Sequence, residues 1–405
     1  MLSQAENDEL TRVGPGTPAG ELLRRYWQVV GVPGELTEEK PIKRVTVLGE
    51  KLVLFRQPAP PGESAPRFGL VRERCPHRAA SLFYGRVDQE GIRCPYHGWK
   101  FAPDGRCLET PAEPPNSPLK NEIRQPAYPV EKFAGLLFAY MGPLPAPLLP
   151  HWDVLAREDG KRWIVIESMI DCNWLQAMEN SLDPAHLYWL HSAFEAKGHL
   201  ADRPSYEEKH AFIRFDYGIM KRRTTPGKKP GDPSMTDEHP ILFPTILRHV
   251  TNSASQGGGG GRVERRYRHN LQMRVPVDDT HTQVYRVNFV PSNEERSPRD
   301  VDPPYQHQVL KNAAGEYDMT IVGAQDSMAW ETQGPIHDRT DENLGTSDLG
   351  IVALRKLLKE QIDIVRKGGD PMGVIRDPKK NDIIHIDVIN ERIGLMRPDH
   401  KSAAE

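Results

Sequence analysis

Apolar and polar positions alternate along the first third of the chain in a way that predicts short strands. Residues 43–57 and 68–74 carry β-branched and large apolar side chains at alternating positions. Residues 92–110 predict a hairpin, because Asp104 and Gly105 form the kind of dipeptide that a tight turn requires. This part of the chain is therefore expected to form a small β module.

The remaining two thirds of the chain predict longer strands separated by polar loops. The expected strands cover residues 162–170, 211–220, 241–250, 262–275 and 281–290. Loops are expected at residues 226–240 and 251–262, and both are expected to be mobile. The second loop contains a run of glycines without the pattern of a phosphate-binding loop, so it is interpreted as a flexible hairpin connection.

Three segments have the periodicity of helices. Residues 17–30 predict a short helix with Thr17 as its N-cap and Pro18 at its first helical position. Residues 172–191 predict two helices interrupted by a proline, and residues 348–368 predict a strongly amphipathic helix. Strands and helices follow one another in separate groups, which indicates an α+β fold.

Proline-rich residues 142–150 mark a boundary between the two parts of the chain. The total of 405 residues suits two domains. The expected division is a helical N-terminal segment 1–40 that packs on the second domain, a β domain 41–150 and a larger domain 151–405.

Composition and charge exclude several classes of function. The net charge is −3, whereas a nucleic-acid-binding chain needs a basic excess. No apolar run approaches the roughly 18 residues that span a bilayer, and residues 1–14 lack the apolar core of a secretory signal. We therefore expect a cytoplasmic protein without nucleic-acid or membrane partners.

Two short motifs place a cysteine beside a histidine. Cys75 and His77 are separated by one proline, and Cys94 and His97 follow further along the chain with two residues between them. A Rieske [2Fe–2S] cluster needs two thiolates on one iron and two imidazoles on the other, and each motif offers one of each. A structural zinc site is the alternative, although zinc sites usually begin with two cysteines and end with two histidines.

A second constellation lies between residues 179 and 191. Two histidines and a carboxylate can hold an iron while leaving positions open for substrate and O₂. His186 and His191 are five residues apart, about 140° on an ideal helix, so we expect the helix to break or loosen between them. Asp183 precedes His186 by three residues and can accept a hydrogen bond from its distal ring nitrogen. Alternatively, the two histidines are merely polar surface of an amphipathic helix.

Taken together, residues 75–99 and 180–191 resemble the two metal-binding motifs of aromatic-ring-hydroxylating Rieske oxygenases, and the resemblance covers nearly the whole chain. Respiratory Rieske proteins carry two further cysteines that bridge the loops, but Ala80 and Tyr96 stand at those positions here. The resemblance implies an N-terminal Rieske domain of β-structure. It also implies a catalytic domain of helix-grip type, with a curved antiparallel sheet around a long helix that helps to hold the iron.

Within this family, residues 1–27 and 325–350 resemble the phthalate dioxygenase-like branch, especially oxygenase components that demethylate lignin-derived methoxy acids. The implied cofactors are a [2Fe–2S] cluster and mononuclear Fe(II). The implied partners are O₂, a small aromatic substrate, in particular an aromatic acid, and a separate NAD(P)H-dependent reductase, with or without a ferredoxin.

The resemblance also implies roles for individual residues. Asp183 would connect His97 of one subunit to His186 of the next, which implies a homotrimer. Asn180 would lie close to the iron without being a regular ligand. The third iron ligand would be a carboxylate far downstream, and Asp326 is the choice because it follows His191 by 135 residues.

Two other carboxylates are candidates for the third ligand position. Asp348 is the alternative, although it also suits the N-cap of the helix that follows. Glu331 is a further candidate that matches less well.

The expected function is that of a terminal oxygenase that hydroxylates or O-demethylates an aromatic substrate. A ring cis-dihydroxylating dioxygenase of the phthalate type is the alternative within the family. A Rieske electron carrier would need only about 100 residues and does not explain the long C-terminal part.

Several further polar residues remain open between a functional and a structural role. Lys221, Arg223 and Arg248 fall on predicted strands and could either line a pocket or be solvated. Basic residues around the cysteine motifs could dock an acidic electron donor or simply belong to the surface: Arg78, Arg86, Arg93 and Lys100. Cys107 and Cys172 lack metal-ligand spacing and are interpreted as buried small residues.

Overall fold

The structure, a computed structural model, describes most of the chain. The described residues are 1–60, 62–63, 65–194, 208–227, 231–253, 266–391 and 394–396. The helices are α1 (Gln4–Thr11), α2 (Pro18–Leu23), α3 (Leu119–Glu122), α4 (Asp153–Ala156), α5 (Trp174–Ser181), α6 (Ala185–Ala193), α7 (Val322–Glu331) and α8 (Leu349–Arg366). Among them, none is long and apolar enough to cross a membrane.

Strands account for most of the remaining regular structure. They are β1 (Trp27–Gly31), β2 (Ile42–Val47), β3 (Glu50–Gln57), β4 (Arg67–Arg72), β5 (Arg86–Val87), β6 (Ile92–Arg93), β7 (Lys100–Phe101), β8 (Cys107–Glu109), β9 (Ala127–Tyr128), β10 (Val130–Phe133), β11 (Leu136–Tyr140), β12 (Gly160–Glu167), β13 (Lys209–Phe215), β14 (Gly218–Thr225), β15 (Met235–Leu242), β16 (Ile246–Ser253), β17 (Arg266–Pro276), β18 (Thr282–Pro291) and β19 (Tyr305–Gln308).

Within the described residues, the first part of the chain forms three small antiparallel sheets. Their strand orders are β1-β11-β10, β2-β3-β4-β9 and β5-β6-β7-β8. Strand β3 separates two apolar cores, because Leu52 and Leu54 face the main core while Val53 and Phe55 face a smaller one. The smaller core also contains Cys75 and Cys94, so it supports the cysteine–histidine loops.

The second part of the chain is built on one large sheet. In the portion that is described, its order is β13-β14-β15-β16-β17-β18-β12-β19. All the pairings are antiparallel except that of β12 with the edge strand β19, which is parallel. The α+β class expected from the sequence is therefore confirmed, with one parallel edge that the pattern did not predict.

Several predicted elements differ in detail from the structure. The helix expected at residues 17–30 has the predicted cap at Thr17 but ends at Leu23, because the following residues pair with β11 as strand β1. Residues 211–220 and 241–250 were each expected to form one strand, but each segment instead contains the turn of a hairpin. The first joins β13 to β14, and the second joins β15 to β16. Part of the loop expected at 226–240 belongs to β15, and most of the glycine-rich loop lies outside the described residues.

Helix α5, in which the second histidine motif begins, lies between the large sheet and α8. Helix α5 ends at Ser181 and α6 begins after Pro184, as the sequence predicted. Helix α7 packs on both of them, whereas the long helix α8 contacts α5, α1 and α2. Asp326, which the resemblance indicates as the third iron ligand, lies on the ten-residue helix α7 and not on the long helix α8.

Candidate metal centres

The first cysteine–histidine loop is closed by two backbone hydrogen bonds. The Cys75 N–H donates to the Ala80 carbonyl at 2.9 Å, and the Ala79 N–H donates to the Cys75 carbonyl at 2.9 Å. Ala79 adopts a left-handed conformation with φ of 61°, which is unfavourable for a residue with a Cβ. The tight turn brings the thiol and the imidazole of His77 to the same end of the loop.

The second loop repeats this geometry. The Cys94 N–H donates to the Trp99 carbonyl at 2.8 Å, and the Gly98 N–H donates to the Cys94 carbonyl at 3.1 Å. Gly98 has a φ of 73°, so the left-handed position that strains Ala79 in the first loop is here occupied by glycine. Two loops of the same shape therefore present their ligand atoms to one another.

The four side chains meet at the tip of the small β part. Cys75 and Cys94 are buried at 2% and 3% exposure. The rings of His77 and His97 are more exposed and lie with centroids 4.6 Å apart. The ring of His77 also stacks on Trp99 at 4.5 Å, which restricts its orientation.

The chemistry of this donor set fits an iron–sulfur cluster. Burial raises the pKa of the Cys75 thiol to about 11, and the neighbouring Cys94 contributes in the same direction. Two buried thiols side by side therefore need a metal to become thiolates. The imidazoles lie at the exposed edge of this group, so they would be the ligands closest to an external electron donor or acceptor.

Basic residues near these loops have different environments. Lys100 is almost completely buried and pairs with carboxylates of Asp88, Glu90 and Glu109, so it is not available for docking. Arg93 donates to the Gly98 carbonyl at 2.8 Å and supports the second loop. Arg78 and Arg86 are exposed.

The second constellation brings together three side chains from two helices. His186 and His191 lie on α6 and Asp326 lies on α7. The Oδ1 atom of Asp326 is 3.9 Å from Nε2 of His186 and 3.5 Å from Nε2 of His191. Among the described residues, these three form the one group of at least three possible metal ligands whose atoms all lie within 4.8 Å of one another.

The helix does not break between the two histidines, so that expectation was wrong. Helix α6 continues from Ala185 to Ala193, and the two rings nevertheless lie with centroids 5.3 Å apart. Residues five positions apart point in different directions from a helix, but imidazole side chains are long enough to converge over the surface between them. Asp326 approaches this surface from the neighbouring helix.

The groups around the triad are suited to a cation. Oδ1 of Asp326 is buried and has no hydrogen-bond donor within the described residues. Burial lowers the pKa of His186 even though Asp183 and Asp326 act in the opposite direction. A neutral imidazole and an unsatisfied carboxylate oxygen are the form in which these groups bind iron.

Outer contacts hold the ligand side chains in place. Nδ1 of His191 donates to Oε1 of Gln325 at 2.8 Å, and Nε2 of Gln325 donates to the Met319 carbonyl at 2.7 Å. Nδ1 of His186 lies 3.4 Å from Oδ2 of Asp183, but it is buried and makes no hydrogen bond within the described residues. Gln325 was missed in the sequence, although its position directly before Asp326 could have indicated it.

The alternative ligand candidates have other partners. Glu331 pairs with Lys311 and accepts a hydrogen bond from Tyr317 at 3.0 Å. Asp348 occupies the expected position before α8, but its carboxylate accepts from the Gly345 N–H at 2.7 Å rather than from the helix. Asn180 lies at the end of α5, where its carbonyl accepts from the Asp183 N–H at 3.1 Å.

A buried network of ion pairs lies next to the second histidine motif, and it was also missed in the sequence. Glu179 accepts hydrogen bonds from Arg339 at 2.7 Å and from Arg355 at 2.7 Å. Arg355 also pairs with Glu342. Because the two arginines come from beyond α7 and from α8, the network ties the end of α5 to distant parts of the chain.

The three basic strand residues singled out in the sequence separate onto two faces. The ammonium group of Lys221 donates to the Asp183 carbonyl at 3.3 Å, and Arg223 forms a bidentate pair with Asp237. Arg248 is buried on the opposite face of the sheet, where it bonds Asp153 at 3.0 Å. Lys221 is therefore directed toward the iron triad, whereas Arg248 is not.

Comparison with known protein families agrees with this two-part arrangement. Residues 26–133 match the Rieske [2Fe-2S] domain. Residues 170–363 match the vanillate O-demethylase oxygenase C-terminal domain.

Curated relatives resemble the chain over nearly its full length. The 5,5'-dehydrodivanillate O-demethylase oxygenase subunit of Sphingobium sp. (strain NBRC 103272 / SYK-6) is 39% identical over 96% of this chain and 87% of its own. The phenoxybenzoate dioxygenase subunit alpha of Ectopseudomonas oleovorans is 37% identical over 90% of this chain and 87% of its own. The phthalate 4,5-dioxygenase oxygenase subunit of Pseudomonas putida is 29% identical over 92% of this chain and 89% of its own.

Solved structures share the fold at lower identity. Pseudomonas putida CBB5 NdmA with caffeine superposes with a TM-score of 0.62 at 22% identity, over 86% of this chain and 94% of that one. Dicamba monooxygenase bound to dicamba gives a TM-score of 0.59 at 16% identity, over 85% of this chain and 98% of that one.

Proposed function

The chain belongs to the Rieske non-haem iron oxygenases, and from this premise we propose that it O-demethylates a methoxylated aromatic acid. It is an oxygenase component that uses a [2Fe–2S] cluster and a mononuclear iron, and such components receive electrons from separate partner proteins. The expectations of a Rieske oxygenase and of these cofactors are confirmed. The substrate, the reaction subtype and the roles of single residues belong to the proposal.

The similarity to the 5,5'-dehydrodivanillate O-demethylase subunit carries the choice of reaction. It extends over 96% of the chain, so it includes both the electron-accepting part and the catalytic part. The catalytic part also matches the C-terminal family of vanillate O-demethylases. Both names describe removal of a methyl group from a methoxy-substituted aromatic acid.

Each metal centre is assigned to the side chains that meet in the structure. Cys75, Cys94, His77 and His97 would hold the cluster, as a set of two thiols and two imidazoles at the tips of matching loops. The iron would be held by the triad His186, His191 and Asp326. When bound, the cluster supplies single electrons and the iron activates O₂ for attack on the substrate.

The surrounding residues of the chain would fix these ligands. Gln325 holds the tautomer of His191 in which Nε2 is free to bind the metal, because Nδ1 is used as a donor. Asp183 would do the same for His186 through Nδ1. Such outer contacts raise the basicity of the ligands and orient their rings.

Asp183 is also proposed to connect the two centres across a subunit interface. Its Oδ1 atom accepts the Ala185 N–H at 2.8 Å, while its side chain keeps 26% of its surface exposed. The exposed part could accept a hydrogen bond from the partner subunit's His97, whose ring is itself accessible. This arrangement requires a ring of subunits, and a homotrimer is the proposed assembly.

A dioxygenase reaction is the second candidate, and a specific observation favours it. The phenoxybenzoate dioxygenase subunit is 37% identical over 90% of the chain, which is close to the value for the O-demethylase. In this reaction both oxygen atoms would enter the aromatic ring as a cis-diol, whereas O-demethylation places one oxygen on the methyl carbon.

Product analysis distinguishes the two reactions. The iron-loaded protein with its cluster reduced would be mixed with O₂ and one of several acids: phthalate, methoxybenzoates and lignin-derived biaryl acids. Formaldehyde formed together with a phenol is the expected result, and ¹⁸O₂ would label the formaldehyde oxygen before exchange. A cis-diol as the main product would contradict O-demethylation and support the dioxygenase reaction.

A further inference from the structure

Lys221 is a buried cation that has no carboxylate partner among the described residues. It lies in the middle of β14 and is 3% exposed. Its ammonium group makes one hydrogen bond there, to the Asp183 carbonyl at 3.3 Å. Two of its three N–H donors are therefore left without an acceptor within the described part of the chain, which is costly for a buried charge.

Other buried cations near the iron triad are compensated in different ways. Arg223 is paired with Asp237, and Arg286 is paired with Glu167. Arg274 has no carboxylate partner in the ranges that the structure describes, but its guanidinium donates to the last turn of α5 and lies over the Trp330 ring at 4.8 Å. Lys221 thus differs from its neighbours because most of its hydrogen-bonding capacity is unused.

Lys221 stands at one end of a row of polar side chains on the face of the sheet toward the triad. The row follows the strand register and consists of Lys221, His239, His249, Asn270 and Asn288. Burial holds the pKa of His249 at about 3, and the charge of Lys221 acts in the same direction. His249 is therefore neutral, so the row carries a positive charge at Lys221 and offers no negative charge to balance it.

The charges around Lys221 indicate what it binds. Lys221 interacts electrostatically with the carboxylates of Asp183 and Asp326. The other charged groups that act on it, Arg223 and Asp237, form an ion pair with each other, so their charges cancel. Once a divalent iron is held by two neutral imidazoles and one carboxylate, the metal, these carboxylates and Lys221 together keep a net positive charge. An anionic group on the ligand would neutralise it.

We propose that Lys221 anchors the carboxylate of the aromatic acid substrate by a charge-assisted hydrogen bond, and so determines the preference for acids over neutral aromatics. The proposal rests on the function proposed above, since it names the group by which that substrate is recognised. Lys221 would hold the substrate at a fixed distance from the triad and would take no part in the reaction itself.

Ligand binding without O₂ tests the anchor independently of turnover. Isothermal titration calorimetry on the anaerobic, iron-loaded protein would compare matched pairs, such as 3,4-dimethoxybenzoate and 3,4-dimethoxybenzamide. In Lys221→Met we expect acids to bind at least about tenfold more weakly, as the loss of a charge-assisted bond implies, with amide binding nearly unchanged. Lys221→Arg should keep most of the preference for the acid.

Lys209→Met is the matched control, because Lys209 is an exposed lysine on the adjacent strand β13. It should bind acids and amides as the unchanged protein does. Thermal unfolding of Lys221→Met should have a midpoint no lower than that of the unchanged protein, since the substitution removes a buried charge without breaking an ion pair.

The outcomes separate the anchor from the reaction. The anchor is overturned if the unchanged protein binds no acid more tightly than its amide. It is also overturned if Lys221→Met binds the acid and the amide more weakly by the same factor. Loss of acid selectivity in Lys221→Met, in a protein that releases no formaldehyde, would support the anchor while contradicting O-demethylation. Formaldehyde release by the unchanged protein, together with intact acid selectivity in Lys221→Met, would support O-demethylation and contradict the anchor.

Discussion

The carboxylate of Asp326 illustrates how much depends on a single side chain. Its Oδ1 atom lies within 4 Å of Nε2 on both histidines, and it is buried without a donor in the described part of the chain. A buried acceptor left in this condition costs on the order of 1–3 kcal/mol. A bound cation would remove that cost, so the arrangement is more stable with a metal than without one.

Asp326→Ala is therefore expected to lose the mononuclear iron and to keep the [2Fe–2S] cluster. The two imidazoles that remain give too few ligands to retain the ion. Iron and sulfide analysis together with the EPR spectrum of the reduced protein would measure both centres. Asp348→Ala is the control and should retain both metals, because its carboxylate is occupied by the Gly345 N–H. Loss of mononuclear iron in Asp348→Ala alone would show that the third ligand is wrongly assigned.

At the scale of the element, the end of helix α5 is held by charge rather than by apolar packing alone. Glu179 is buried, and its pKa remains below the ordinary value because Arg339 and Arg355 outweigh the effect of burial. Since Asp183 and His186 follow within two turns, the ion network anchors the residues directly before the segment that is proposed to bind iron.

Arg339→Met is expected to lower the free energy of unfolding by about 3–5 kcal/mol, because it leaves Glu179 buried with one of its two arginines removed. Arg339 is completely buried, so solvent cannot replace the lost partner. Urea denaturation followed by circular dichroism would give the difference. Arg366→Met removes an exposed ion pair and should change stability by less than about 1 kcal/mol. Equal effects of the two substitutions would contradict a structural role for the network.

The elements also show where local sequence and tertiary context disagree. Residues 211–220 contain one apolar run, yet the chain turns within it to form the hairpin of β13 and β14. Gly218 follows this turn with a φ of 158°. It lies against the Ile241 carbonyl, where any side chain would collide. Similarly, residues after Leu23 continue a helical pattern but join β11, because pairing with a neighbouring strand outweighs a weak local preference.

At the scale of the whole molecule, the two metal centres of one chain occupy different parts of the fold. The cluster loops lie at the tip of the small sheets, supported by their own apolar core, whereas the triad lies between α6, α7 and the large sheet. If Asp183 passes electrons between subunits, a defect in one centre can be compensated by a neighbouring chain.

Asp183→Ala should bind both metals but lose turnover, because the proposed connection between the centres is interrupted. His97→Ala should lose its cluster and be inactive as well. Mixed oligomers of the two variants should regain activity, up to about a quarter of the normal value after equal mixing, since each functional interface needs one chain of each kind in the right order. Formaldehyde or diol release per iron would measure the recovery.

Two controls accompany this mixing experiment. Each variant mixed with itself should remain inactive, and size-exclusion chromatography should show that the mixed chains have exchanged. Exchanged oligomers without any recovery of activity would contradict electron transfer between subunits. Full activity of Asp183→Ala by itself would remove Asp183 from the path altogether.

The sequence by itself determined the chemistry of both centres. Cysteine and histidine are close neighbours in each cluster motif, and His186 and His191 share one short helix, so their spacing could be read directly. The order of strands and helices also sufficed to predict the α+β class. These features depend on residues that are close together in the sequence, so the sequence is sufficient to predict them.

Only the tertiary structure decided which distant residues complete the sites. Asp326, Gln325 and Lys221 are far from the histidines in sequence, and they reach the triad because α7 packs on α6 and β14 runs beneath Asp183. The same holds for the ion network that joins Glu179 to Arg339. Such contacts depend on how whole elements pack, and the periodicity of one segment carries no information about its partner.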